Sequence, residues 1–129
     1  MNDGLAQPTI MVVDDTKANL KLLDDMLRAR GYRVRAFPSG ELALTAAAKH
    51  PPDLILLDIT MPVMNGFEFT QIVRNKFSKE KLPILMVSNE NDKGKVIQIF
   101  QRGINAYIIK PFTALDIEAK IKSIFSKPA

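Results

Sequence analysis

The sequence predicts an α/β fold, a single doubly wound (βα)5 domain with a five-stranded parallel sheet in the order 2-1-3-4-5. Three observations carry that reading. Thr9–Val13, Leu54–Leu57, Pro83–Val87 and Ala106–Ile109 are short apolar runs without polar alternation, which suits strands buried on both faces. Stretches with apolar residues at helical spacing separate them, and strand and helix alternate five times, the pattern of parallel strands joined by crossover helices. Arg33–Phe37 instead alternates polar and apolar, which marks a half-exposed edge strand and favours the flavodoxin-like order.

Composition sets the limits. The chain has 129 residues, 47% of them hydrophobic and 25% charged, which fits one globular domain with its own core. It has no cysteine, so disulfides, thiolate zinc sites and a thiol nucleophile are excluded. No apolar run approaches the roughly 20 residues that span a bilayer, and residues 1–8 lack the basic start and apolar stretch of a signal peptide. The expected layout is a polar tail at 1–8, one domain at 9–125 and a short tail at 126–129, in the cytoplasm. The net charge is +4, but the basic residues are spread along the chain, which favours a solvated surface over a nucleic-acid or membrane footprint.

The elements follow in order. After Val13 come Asp14-Asp15, and from Thr16 to Arg30 the residues Leu20, Leu23 and Leu27, widened by Leu22 and Met26, recur at helical spacing. Gly31 supplies a left-handed stop. Ser39 suits an N-cap, and Leu42, Ala43, Ala46 and Ala47 line a helix ending near His50 and Pro51-Pro52. The Leu54 strand runs into Asp58, and 61–66 is a loop punctuated by Pro62 and Gly66. Phe67–Asn75 is a helix with Phe69, Ile72 and Val73 inward, and 76–82 is a charged connector. The fourth strand ends in Ser88. Asp92–Arg102 is a helix built on Val96, Ile99 and Phe100, in which Gly94 costs about 1 kcal/mol against Ala and weakens the start. Gly103 ends it. The fifth strand leads to Lys110-Pro111, and Thr113 with Asp116 forms a capping box for a last helix to about Phe125.

The residues at the strand ends carry the chemistry. Asp14 and Asp15 follow the first strand, Asp58 the third, Ser88 the fourth and Lys110 the fifth. In a parallel sheet these ends share one rim, where ligands collect, and neighbouring strands lie about 4.8 Å apart. Taken singly, each residue fits a cap, a turn or a surface position. Together they form a set that those readings leave unexplained. Crowded carboxylates raise one another's pKa unless a cation joins them. With no His or Cys at hand the ligands are oxygen, so Mg2+ or Mn2+ is the expected guest. Carboxylate, divalent cation and Lys make up the apparatus for phosphoryl transfer.

The segments Val12-Val13-Asp14-Asp15, Leu57-Asp58-Ile59-Thr60-Met61-Pro62-Val63-Met64-Asn65-Gly66 and Tyr107-Ile108-Ile109-Lys110-Pro111-Phe112 resemble the response-regulator receiver domain of two-component signalling, over about Thr9 to Phe125. The resemblance implies that Asp58 accepts a phosphoryl group from a histidine kinase or phosphotransfer protein. It implies Mg2+ held by Asp15, Asp58 and the Thr60 backbone carbonyl, with Asp14 acting largely through water. It implies that Lys110 pairs with the phosphoryl group beside a cis Lys110–Pro111 bond. Ser88 and Tyr107 match the family's switch pair, and the fourth helix, fifth strand and fifth helix would form the output face. A phosphorylation-linked homodimer through that face is allowed, though no residue argues for it. Asn89 stands where the family usually has a small residue, and Ile104 where Ala is usual.

Three rivals fare worse. A haloacid-dehalogenase-type phosphatase would make Asp14 the nucleophile, but the first strand ends Asp-Asp-Thr rather than Asp-X-Asp, and Asp58 would be idle. A flavin or nucleotide module would need a glycine-rich phosphate loop after Val13, which is absent. A degenerate scaffold would not retain every functional residue type. His50, the only histidine, sits at a helix end, where it suits the helix dipole.

Overall fold

The computed structural model describes residues 7–58 and 66–126. The elements alternate as β1 (Thr9–Val13), α1 (Lys17–Ala29), β2 (Arg33–Phe37), α2 (Gly40–Lys49), β3 (Leu54–Asp58), α3 (Gly66–Lys76), β4 (Ile84–Ser88), α4 (Lys93–Gln101), β5 (Ala106–Ile109) and α5 (Ala114–Phe125). All strand pairs are parallel, in the order β2-β1-β3-β4-β5. The fold class and strand order expected from the pattern are those observed.

Side-chain alternation divides the core into two layers. Met11, Val13, Ile55, Leu57, Ile84, Met86 and Tyr107 face Ala43, Ala47, Phe69, Val73 and Ile99, so α2, α3 and α4 cover that side. Ile10, Val12, Leu54, Leu56, Leu85, Val87, Ala106 and Ile108 face Leu23, Leu27, Ile117 and Ile121, so α1 and α5 cover the other. The three central strands are fully buried or nearly so. β2 is mixed, as an edge strand must be.

Local chemistry sets most boundaries. The Ser39 hydroxyl accepts from Leu42 N, and Asp92 from Lys95 N. Thr113 and Asp116 form a reciprocal capping box. Gly31 (φ 90°) and Gly103 (φ 112°) take the left-handed conformations that end α1 and α4. At Gly103 the space is also closed, because a Cβ would lie 2.9 Å from Arg74 Cγ. Arg74 is a hub. Its Nε donates to Gly103 O at 2.7 Å, Nη1 to Leu82 O at 2.8 Å, and Nη2 to Asn105 Oδ1 at 3.0 Å. These bonds tie the end of α3 to the end of α4.

Several residues depart from expectation. Helix α3 begins at Gly66 and runs to Lys76, one residue longer at each end than the spacing suggested. Pro83 precedes β4 rather than opening it, and contributes its carbonyl to Ile55 N. Leu22, Leu42, Ile72 and Phe100 were expected on apolar faces but are exposed. Each lies next to a residue that takes the core-facing position (Leu23, Ala43, Val73 and Ile99), and one step along a helix turns about 100° away from the core.

Candidate functional site

The carboxyl rim of the sheet brings Asp14, Asp58 and Lys110 together. Asp58 is the last residue of β3, and its residue is 1% exposed. Lys110 follows β5, and its Nζ donates to both Asp58 oxygens, at 2.7 Å and 2.9 Å. The Lys110–Pro111 peptide is cis, and Lys110 N donates to Ser88 O at 2.8 Å. Asp14 is wholly buried immediately beyond β1. Its Oδ1 accepts from Thr16 N at 2.9 Å, while its Oδ2 has no hydrogen-bond partner. Burial, and then the neighbouring Asp58 carboxylate, raise the Asp14 pKa from 3.8 to about 6, against the lowering effects of Thr16 N and the Asn19 side chain.

Alternation along the strands explains which residues meet. Asp14 continues the Ile10–Val12 series, Asp58 the Leu54–Leu56 series, and Lys110 the Ala106–Ile108 series. All three therefore lean toward the α1/α5 side. There a cleft of about 380 Å3 is lined by Asn19, Leu22, Leu23, Asp58, Asn89, Lys110, Pro111 and Phe112. Ser88 continues the Ile84–Met86 series, which faces the other layer. It borders a second cleft of about 550 Å3 with Phe67, Asn89, Glu90, Lys95, Gln98 and Ile99. Asn89 lines both clefts.

The expected switch pair thus lies on the α4 side. Ser88 Oγ accepts from Glu90 N at 3.0 Å, and Tyr107 Oη donates to Glu90 O at 2.8 Å. Tyr107 is buried, with its ring turned in under the β4–α4 loop. Glu90 holds that loop further, since its carboxylate accepts from Asp92 N and stands 3.8 Å from Lys95 Nζ. In this arrangement the hydroxyl of Ser88 is engaged by its own loop rather than by Asp58 or Lys110.

Of the residues expected to hold a metal, Asp14 and Asp58 are adjacent. Asp15 is exposed at the rim and accepts a 3.5 Å contact from Thr16 Oγ1. Thr60 lies outside the described residues. Among the described residues no three His, Cys, Asp or Glu side chains converge as a metal-binding group. The donor set nevertheless suits a hard cation. It is all oxygen, one buried carboxylate oxygen is unpartnered, and the Lys110 charge is committed to Asp58. Sequence reasoning missed Asn19. It sits in the first turn of α1, on the helix that leaves the rim, and a polar residue so close to the acidic pair was the available signal.

Comparisons with known proteins point to one family. The family model of the response regulator receiver domain matches residues 10–122. The chain is 36% identical over 115 residues to the polar-differentiation response regulator DivK of Brucella ovis, covering 89% of this chain and 94% of that protein. It is 33% identical to the response regulator PleD of Caulobacter vibrioides, of which it spans 25%. Among solved structures, the chemotaxis protein CheY4 of Vibrio cholerae matches with a TM-score of 0.85 and 30% identity, over 92% of this chain and 99% of that one. The receiver domain of the sensor histidine kinase PA1611 from Pseudomonas aeruginosa, which holds a magnesium ion in its active-site cleft, matches with a TM-score of 0.83 and 30% identity, over 94% of this chain and 100% of that one. A receiver of this kind implies a histidine kinase as partner. Among the described residues no helix is long and apolar enough to cross a membrane. The chain belongs to the response-regulator receiver family, the phospho-aspartate switches of two-component signalling, and is a signalling protein rather than an enzyme.

Proposed function

We propose that Asp58 is the phosphoacceptor of a phosphorylation-dependent switch spanning residues 9–125 and working in the cytoplasm. The observation that carries the proposal is Lys110 Nζ bound to both oxygens of a buried Asp58, with Asp14 alongside. An Asp58 oxygen attacks the phosphorus of a kinase's or phosphotransfer protein's phosphohistidine. The phosphorus–nitrogen bond breaks, and its electron pair leaves with the imidazole. Lys110 stays within reach of the transferred group and offsets the charge on its oxygens. Asp15, Asp58 and the Thr60 carbonyl would hold Mg2+, with Asp14 acting through water. When bound, that ion supplies positive charge to the phosphoryl oxygens and to the paired carboxylates.

The phosphorylated side chain carries about −1.5 to −2 charge. Ser88 would serve it by turning its hydroxyl toward the α1/α5 side, away from Glu90 N. That move frees the β4–α4 loop on which Tyr107 is anchored. Phosphorylation therefore biases a two-state equilibrium. The output face is α4, β5 and α5, where Ile97, Phe100, Ile109 and Leu115 are exposed.

The test is intact mass after incubation with acetyl phosphate and Mg2+. Wild type gains one phosphoryl group, and Asp58→Asn gains none. Retention of labelling in Asp58→Asn, with loss in Asp14→Asn, would overturn the proposal in favour of phosphatase chemistry.

A further inference from the structure

We infer that Glu90 is a positioning residue, whose carboxylate braces the β4–α4 loop so that Ser88 stays turned away from Asp58. The inference rests on the proposed Asp58 switch. Glu90 is tied down through both its backbone and its side chain. Its N donates to Ser88 Oγ at 3.0 Å, and its O accepts from Tyr107 Oη at 2.8 Å. Its carboxylate accepts from Asp92 N at 3.0 Å and stands 3.8 Å from Lys95 Nζ. One residue thus joins both members of the expected switch pair to the start of α4. Helix capping does not require this, because Asp92 already caps α4 by accepting from Lys95 N. The Glu90 carboxylate closes the turn ahead of that cap, and so fixes where Glu90 N points.

The brace sets what the switch costs. When Ser88 turns toward the phosphoryl group, Glu90 N loses its acceptor. The loop has room to answer by moving, since a cleft of about 550 Å3 adjoins Ser88, Asn89 and Glu90, and α4 carries Gly94 in its first turn. With the brace in place, moving the loop breaks the bond to Asp92 N, and holding it still leaves Glu90 N without its acceptor. The carboxylate therefore favours the resting arrangement and weakens binding of any group that needs Ser88 on the other flank. Its strength lies in the hydrogen bond. Lys95 is exposed, and an exposed ion pair adds little. A net hydrogen bond corresponds to about two- to tenfold in an equilibrium constant.

The experiment is a titration with beryllofluoride and Mg2+, followed by backbone amide shifts, since beryllofluoride bonds to a carboxylate oxygen as a phosphoryl group does. The proteins are wild type, Glu90→Ala, Glu90→Gln, Ser88→Ala and the double variant Ser88→Ala, Glu90→Ala. Circular dichroism checks that each folds. Glu90→Ala is expected to bind the mimic about threefold more tightly or better. Before any mimic is added, its amides from Asn89 to Lys95 should already lie part of the way toward their bound positions, a shift that a merely structural loss would not give. Glu90→Gln keeps an acceptor for Asp92 N and should stay within about twofold of wild type. In the Ser88→Ala background the change to Ala at Glu90 is expected to do little, because its effect passes through Ser88. Equal or weaker binding by Glu90→Ala would overturn the inference, and so would an equal gain in both backgrounds. A wild-type protein that takes up no beryllofluoride would instead overturn the phosphoacceptor reading on which the inference rests.

Discussion

Replacing Asp14 with Asn should stabilise the metal-free protein at neutral pH. Asp14 is wholly buried beside Asp58, and its pKa is raised from 3.8 to about 6. A raised carboxyl pKa means that the folded state binds the proton more tightly than the unfolded chain does. The stability from that proton is complete below about pH 4 and is lost as pH rises through about 6. At 1.36 kcal/mol per unit the full shift corresponds to about 3 kcal/mol at pH 7.5. Water in the adjoining cleft lowers the figure, so roughly 1.5–3 kcal/mol is expected. Asn has the same shape without the charge, and its amide can donate to Asp58.

Urea unfolding with a chelator present, followed by circular dichroism, measures the effect, since the chain has no tryptophan. At pH 7.5 the variant's midpoint should lie about 1 M higher, for an m-value of roughly 2 kcal/mol/M. Near pH 4 the two proteins should unfold together. Using the difference between them cancels the other carboxylates. An Asn variant no more stable than wild type at pH 7.5, or a gap that does not close toward pH 4, would refute the argument.

Other substitutions probe the rest of the frame. Lys110→Ala leaves a buried Asp58 unpaired and should cost about 2–4 kcal/mol in urea unfolding without Mg2+, with partial recovery when Asp58→Asn is added. Arg74→Ala strands the carbonyls of Gly103 and Leu82 and leaves Asn105 Oδ1 with Ile84 N alone, and should cost about 3 kcal/mol in the same assay. Arg74→Lys should recover less than half of that, because one ammonium cannot reach every acceptor. Thr113→Ala removes half of the capping box and should cost about 1 kcal/mol in thermal unfolding, with the start of α5 losing hydrogen-exchange protection first.

Much of this was legible in the residues. The unbroken apolar runs at β1, β3 and β4 and the alternation at β2 are direct consequences of how many faces each strand buries. Strand order then placed Asp14, Asp58 and Lys110 on one rim, since parallel strands end together. The breadth of each helical face was not legible. Leu42 and Ile72 fit a generous apolar stripe, yet α2 packs through Ala43 and Ala47 and α3 through Phe69 and Val73, and the stripe is narrower than hydrophobicity suggests. The side on which Ser88 lies is legible in the alternation, because counting back in twos to Met86 and Ile84 assigns it to the α4 layer. Asn19 gave too small a signal, since a single amide on a helix has many uses.

The alternation along β4 has a consequence for how such a chain can change. Asp58 and Lys110 line a cleft on one flank of the sheet, and the Ser88 hydroxyl and Tyr107 ring lie on the other. Under the proposed function, substitutions on the Ser88 and Tyr107 flank would retune partner choice and leave Asp58 and Lys110 in place. Insertion or loss of one residue within β4 has no such freedom, because it would exchange Ser88 for its neighbour and turn the side chains beyond the change to the opposite flank. Divergence in this stretch should therefore run through replacement rather than changes in length.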